Sequence, residues 1–237
     1  MERRGFVKGM AGACAAGALS VLPFESLAQA RPKFYGRARL VDSFRRPLRA
    51  ASLVAQRNYI FLYPFAATPC FLLNMGKPVP GAAGLQTADA QPYQWPGGVG
   101  RGKGIVAYSA ICSHKLTYPT RQLSFISFQG AGEKSTTGKD GGLIHCCSEH
   151  SRYDPAHGAR VLSGPAPQPL AAILLEHDER ADELFAVGTL GGEMFNDFFA
   201  KYEFRLGMEY GSKAKALVEG ECMVSELTSY CRQQISC

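Results

Sequence analysis

Two mixed pairs of cysteine and histidine, Cys112-Ser113-His114 and Cys147-Ser148-Glu149-His150, constrain this chain more than any other feature. Residues 115–146 lie between them, so a fold that uses both must return a distant segment onto the first loop. Two thiolates and two imidazoles suit either a tetrahedral zinc ion or an iron–sulfur site. Zinc sites usually keep like ligands together, as C-x-x-C with H-x-x-x-H. Here each pair is mixed. A two-iron cluster with unlike irons needs this arrangement, each loop giving one cysteine to one iron and one histidine to the other.

The segments around the pairs predict a mainly β body. "NYIFLYPFAATPCFLLNMG" is rich in β-branched and aromatic residues, with Pro64, Pro69 and a closing Gly76, and reads as two short strands around a turn. "KPVPGAAGLQTADAQPYQWPGGVGRGKG" reads as a long Gly/Pro-rich loop pinned to the body by Trp95. "IVAYSAI" is a buried strand that delivers Cys112, "QLSFISF" alternates as a strand, and "QGAGEKSTTGKDGG" reads as a polar hairpin tip. "AAILLEHD" and "ELFAVGTL" form two further strands. From Phe195 onward proline disappears and apolar residues recur every three or four positions, which predicts two helices with a break near Gly211.

The residues around both pairs resemble those of the Rieske iron–sulfur proteins, whose pattern is C-x-H, a spacer, then C-x-x-H. "RYDPAHG" resembles the segment after the second ligand pair. "SGPAPQPL", with Gly164 and Pro165, resembles the proline loop that covers the cluster. "IVAYSAICSHK" is similar to the strand entering the first pair, especially in small subunits of arsenite-oxidase-type molybdenum enzymes. The resemblance is strong over residues 105–175. It implies an antiparallel β-sandwich with an inserted cluster-binding subdomain, here followed by a helical extension. It also implies a [2Fe–2S] cluster with Cys112 and Cys147 on one iron and His114 and His150 on the other. Neutral imidazoles in place of two thiolates lower the negative charge of the core, which puts the potential somewhere within roughly −150 to +300 mV.

Several positions depart from that family. Quinol-oxidising members brace the two cluster loops with a disulfide, but its two positions hold Thr117 and Glu149 here. The resemblance therefore predicts an unbraced cluster, with Glu149 either an exposed loop carboxylate or a nearby negative charge that favours the oxidised state. The Tyr153-Asp154 pair stands one residue closer to the second histidine than in the family. Tyr153 is the candidate donor to a cysteine sulfur. Cys146 reads as a buried or free thiol rather than a substitute ligand or disulfide partner, His145 and His157 as structural or solvated side chains, His177 as an exposed side chain, Cys70 as core, and Lys115 as a docking charge or plain surface residue.

The ends and the composition set the context. "MERRGFVKGM" with the apolar run that follows and Ala28-Gln29-Ala30 has the layout of a twin-arginine export signal. The uncharged run from Gly9 to Phe24 reaches about 24 Å as a helix, short of the roughly 30 Å hydrocarbon core. Cleavage after Ala30 is favoured over retention as a membrane anchor, and the expected location is the periplasm or the periplasmic face of the inner membrane. Of eight cysteines, Cys14 leaves with the signal. A disulfide is expected among Cys222, Cys231 and Cys237; pairing across these and Cys70 and Cys146 is not readable from spacing. Residues 31–57 carry eight Arg and Lys against Asp42 alone, either a solvated face or a docking surface for an acidic partner or lipid.

Five segments follow: an export signal or anchor (1–30), a basal β region (31–104), the cluster subdomain (105–170), closing strands (171–194) and the helical extension (195–237). Net charge of +6 without an arginine-rich helix or RNA-binding strand motif excludes nucleic acid as the expected partner. No nucleophile–base pair, carboxylate pair or nucleotide loop is evident, nor a second mononuclear iron site. The expectation is an electron-transfer subunit or partner of a larger periplasmic oxidoreductase or cytochrome. The alternatives are a quinol:cytochrome c oxidoreductase subunit and, in another class, a zinc-stabilised binding module.

Overall fold

The computed structural model describes residues 29–131 and 141–237. The expected export segment, Cys14 and most of the hairpin tip lie outside the described residues. The architecture is mainly β with helices in the C-terminal part, as the sequence predicts. Among the described residues no helix is long and apolar enough to cross a membrane.

An eight-stranded sheet forms the body, in the spatial order Gly220–Met223, Lys33–Val41, Glu183–Leu190, Ala172–Asp178, Ile105–Ser109, Pro69–Asn74, Tyr59–Leu62, Ser225–Glu226. Its central strands are apolar at successive positions because both faces are covered. Side chains alternate across a strand. Phe71, Leu73, Val106 and Tyr108 enter one core, and Cys70, Leu72, Ile105 and Ala107 enter the other. The two edge strands Gly220–Met223 and Ser225–Glu226 are separated in sequence by Val224 alone. Three consecutive residues span at most about 7 Å, so the sheet must curl until its two edges meet. The Cys222 thiol donates to the Leu62 carbonyl across this seam at 2.9 Å.

A four-stranded antiparallel sheet, in the order Arg160–Ser163, Ser151–Asp154, Leu143–Cys146, Ile126–Gln129, covers one face of the body. Ile126, Phe128, Ile144, Cys146 and Tyr153 share the first core with the large sheet. Strand Ile105–Ser109, which leads to Cys112, belongs to the large sheet.

The expected long loop contains a two-stranded hairpin, Ala82–Gln86 with Pro92–Trp95. Trp95 is buried against Tyr108 with ring centroids 5.7 Å apart, so it does pin this segment. The helical tail is shorter than expected. Helices Phe195–Lys201 and Glu203–Tyr210 end at Gly211, and the chain beyond supplies strands and the single turn Leu227–Tyr230. Periodicity alone did not separate a second helix from strands that complete the seam.

Four arginines of the basic segment 31–57 are engaged in ion pairs on the surface. Arg37 pairs with Glu176, Arg39 with Glu183, Arg45 with Glu221 and Arg57 with Glu226, at 2.7–3.2 Å. Acidic residues distant in sequence neutralise them, which only tertiary pairing reveals. His177 is not exposed: its side chain is 6% accessible and its Nε2 lies 2.9 Å from Asp182.

Candidate metal centre

The first loop leaves the large sheet after Ser109 and turns sharply. Cys112 N donates to Thr117 O at 2.8 Å and Leu116 N to Cys112 O at 2.9 Å. Leu116 takes φ 60°, the left-handed conformation that closes the turn. Ile111, Leu116 and Tyr118 anchor the loop in a third core built by Phe195, Phe198, Phe199 and Leu206 of the two helices. The helices therefore support the loop, and Lys201 Nζ donates to Lys115 O at 2.6 Å.

The second loop follows strand Leu143–Cys146. Here the structure corrects the sequence reading in three ways. Cys147, the expected ligand, is joined to Cys237 in a disulfide, so its sulfur is not a thiolate that can bind iron. Cys146 is a free and fully buried thiol, as the sequence predicts, and lies in the shared core with its sulfur within hydrogen-bonding reach of Cys112. The second loop is braced after all: the Cys147–Cys237 bond ties it to the C-terminus rather than to the first loop. The expected disulfide among the three tail cysteines is absent, and Cys222 and Cys231 are free and buried.

The two loops are built alike around Cys112 and Cys146. Backbone N–H groups of His114 and Lys115, two and three residues on, point to the Cys112 sulfur. Those of Ser148 and Glu149, again two and three residues on, point to the Cys146 sulfur. Hydrogen bonds from Cys146 first, and then from Tyr153 and these amides, hold the Cys112 thiol far below its ordinary range, at about 6, against the opposing effect of burial. Cys146, as the donor to Cys112 and itself buried, is pushed up.

Tyr153 completes the arrangement from strand Ser151–Asp154. Its hydroxyl lies 3.2 Å from Cys112 Sγ and 3.2 Å from Ser113 Oγ, and it accepts from Ser113 N at 3.3 Å. Ser113 sends its own hydroxyl proton to Gln168 O at 2.7 Å. With that proton committed, Ser113 Oγ can only accept from Tyr153, so the single Tyr153 proton is shared between Ser113 Oγ and the Cys112 sulfur. Gln168 in turn donates to Gly192 O and accepts from Ala88 N, linking the proline loop, the hairpin and the entry to the helices.

His114 is half-buried with its Nδ1 enclosed and without a hydrogen-bond partner. A buried imidazole nitrogen without a partner is costly unless something electrophilic fills the place. His150 is exposed and takes φ 58° at the end of the second loop. Glu149 meets Lys115 at 3.3 Å, an exposed ion pair between the two loops. Among the described residues, no three His, Cys, Asp or Glu side chains gather around a single ion position. A two-iron cluster asks each iron for only two protein ligands, which this donor set can supply.

Gly164 of the proline loop packs on the second loop. A Cβ there would lie 2.5 Å from Ser151 Cα and 2.6 Å from His150 O, and its φ is 91°. Gly164→Ala is expected to cost about 1–3 kcal/mol through left-handed strain alone, with the overlap adding to it. A lowered denaturant midpoint at unchanged slope would report it; an unchanged midpoint would contradict this packing. Pro165 follows in the same loop.

Sequence reasoning gave Cys146 little weight as a ligand; the one signal in its favour is the shortened interval between His150 and Tyr153 in the pattern that the sequence resembles.

No family model matches the chain. Among solved structures, it is similar to the soluble domain of the Rieske protein II (soxF) from Sulfolobus acidocaldarius, at 24% sequence identity, covering 67% of this chain and 82% of that one, with a TM-score of 0.47.

Proposed function

We propose that this chain is a one-electron carrier holding a Rieske-type [2Fe–2S] cluster. Cys112 and Cys146 bind one iron, and His114 and His150 bind the other. The observation that carries this reading is the pair of matching loops, each directing two backbone N–H groups at a buried cysteine sulfur. Such N–H groups stabilise electron-rich sulfur. The unpartnered Nδ1 of His114 supports it as a second kind of donor aimed inward. The cluster would supply reversible one-electron chemistry; the residues of the chain bind it, shield its sulfurs from water and set its potential. With His150 exposed, the histidine side faces outward, where a partner can approach. The working context is a subunit or redox partner of a larger oxidoreductase after twin-arginine export, consistent with the N-terminal sequence.

Purified protein is expected to be red-brown, with about two irons and two acid-labile sulfides per chain, and to give a Rieske-type paramagnetic signal on reduction. A colourless protein with one zinc would replace this reading by the structural-zinc alternative. Intact mass would show whether residues 1–30 are removed.

Tyr153→Phe is expected to lower the potential. The hydroxyl proton favours the more negative, reduced sulfur, and about 1 kcal/mol of differential stabilisation corresponds to roughly 40 mV for one electron. A redox titration showing no change, or a rise, would remove Tyr153 from this role.

A further inference from the structure

The C-terminal residues form a strap laid beside the second loop. Gln233–Gln234 pairs in parallel with Leu123–Ser124. Arg232 N donates to Arg121 O, Gln233 N to Gln122 O and Ile235 N to Ser124 O, at 2.8–3.1 Å. Directly past this strand, Phe125 O accepts from Cys147 N at 2.6 Å, and the strap ends with Cys237 bonded to the Cys147 sulfur. The Cys147 side chain is thus bonded to the strap, and its backbone N–H to the segment beside which the strap lies.

This matters because two cysteines stand side by side. Cys146 closes a strand whose side chains alternate strictly; Cys147 begins the turn, where the backbone no longer enforces one face. Both are soft sulfur ligands for iron when reduced. With Cys147 free, a turn of the peptide would offer a second thiolate one residue nearer to His150, in C-x-x-H spacing.

We propose that Cys237 is a positioning residue that selects the cluster ligand. By occupying the Cys147 sulfur, it leaves Cys146 as the sole thiolate of the second loop and fixes the peptide that carries the Ser148 and Glu149 N–H groups. The proposal rests on the [2Fe–2S] reading of the site. It goes beyond that reading in assigning to the end of the chain the choice between neighbouring ligands.

Three full-length variants separate selection from simple bracing: Cys237→Ser, Cys147→Ser and the double variant. All three lack the strap bond, but only Cys237→Ser leaves a competing thiol in the loop. Iron and sulfide content, the paramagnetic spectrum and the redox potential are compared, and alkylation with peptide mass mapping reports the thiols independently of any cluster. Cys237→Ser is expected to show a second spectral species or to lose cluster. Removing Cys147 as well is expected to restore the single wild-type species. If Cys237→Ser and the double variant behave identically, the bond is only a brace and the proposal is overturned. If wild type holds the mapped disulfide but no iron or sulfide, the reading of the site itself has failed.

Discussion

Cys146→Ser is expected to abolish the cluster, whereas Cys147→Ser is expected to keep it. The sequence motif predicts the reverse. The physical difference lies in what each sulfur already does. Cys146 is fully buried in the core shared by both sheets, beside Cys112, with two backbone N–H groups aimed at its sulfur. Serine there removes a soft thiolate ligand that no neighbour replaces while Cys147 stays bonded. Cys147 already spends its sulfur on Cys237, across a sequence separation of 90 residues. Losing that bond releases a long loop in the unfolded chain, worth up to about 4–5 kcal/mol in the chain-entropy description. Cys147→Ser should therefore lower the melting temperature while iron and sulfide content stay at wild-type level. Cys146→Ser should lose both iron and sulfide. Equal loss in the two variants would contradict the ligand assignment; retention in Cys146→Ser with loss in Cys147→Ser would restore the motif's own reading.

The second large effect is expected in the aromatic core that supports the first loop. Phe198 is fully buried, with its ring 4.8 Å from Tyr118 at nearly a right angle and 5.4 Å from Tyr202. Tyr118, Leu116 and Ile111 are the residues by which the first loop is held. Phe198→Ala removes a full aromatic side chain from that contact and should cost about 3–5 kcal/mol, a fall in melting temperature on the order of 10 °C for a chain of this size. Amides of residues 110–118 should lose hydrogen-exchange protection first. Phe204→Ala, on the same tail but 82% exposed, is the control and should change stability by less than about 0.5 kcal/mol. Equal effects at the two positions, or unchanged protection of the first loop, would show that the helices do not support it.

Both expectations involve the C-terminal part of the chain, which read in sequence as a plain helical extension. It does three things instead. Its helices hold the first loop, Gly220–Met223 and Ser225–Glu226 close the seam of the large sheet, and its last residues hold the second loop. None of these is a local property. A strand that closes a seam and a helix that packs on a loop can carry the same apolar spacing over a few residues, and the partner decides which forms.

The mainly β body was legible beforehand, from short apolar runs between turn-forming residues, and of the proposed site Cys112, His114 and Tyr153 follow from the motif and its flanking residues. Gly164 could be singled out from the proline loop, and the structure supplies its reason, the close approach to the His150–Ser151 backbone. Residue types and their order along the chain determined the donor set of the proposed site: two sulfurs, two imidazoles and a tyrosine hydroxyl. Which of two adjacent cysteines faces the first loop was decided only by tertiary structure. Spacing counts residues, whereas ligation depends on which face the backbone presents and which sulfur is already bonded. In the proposed site Cys237 decides both, through a bond to Cys147, a position that lies next to it only once the protein has folded.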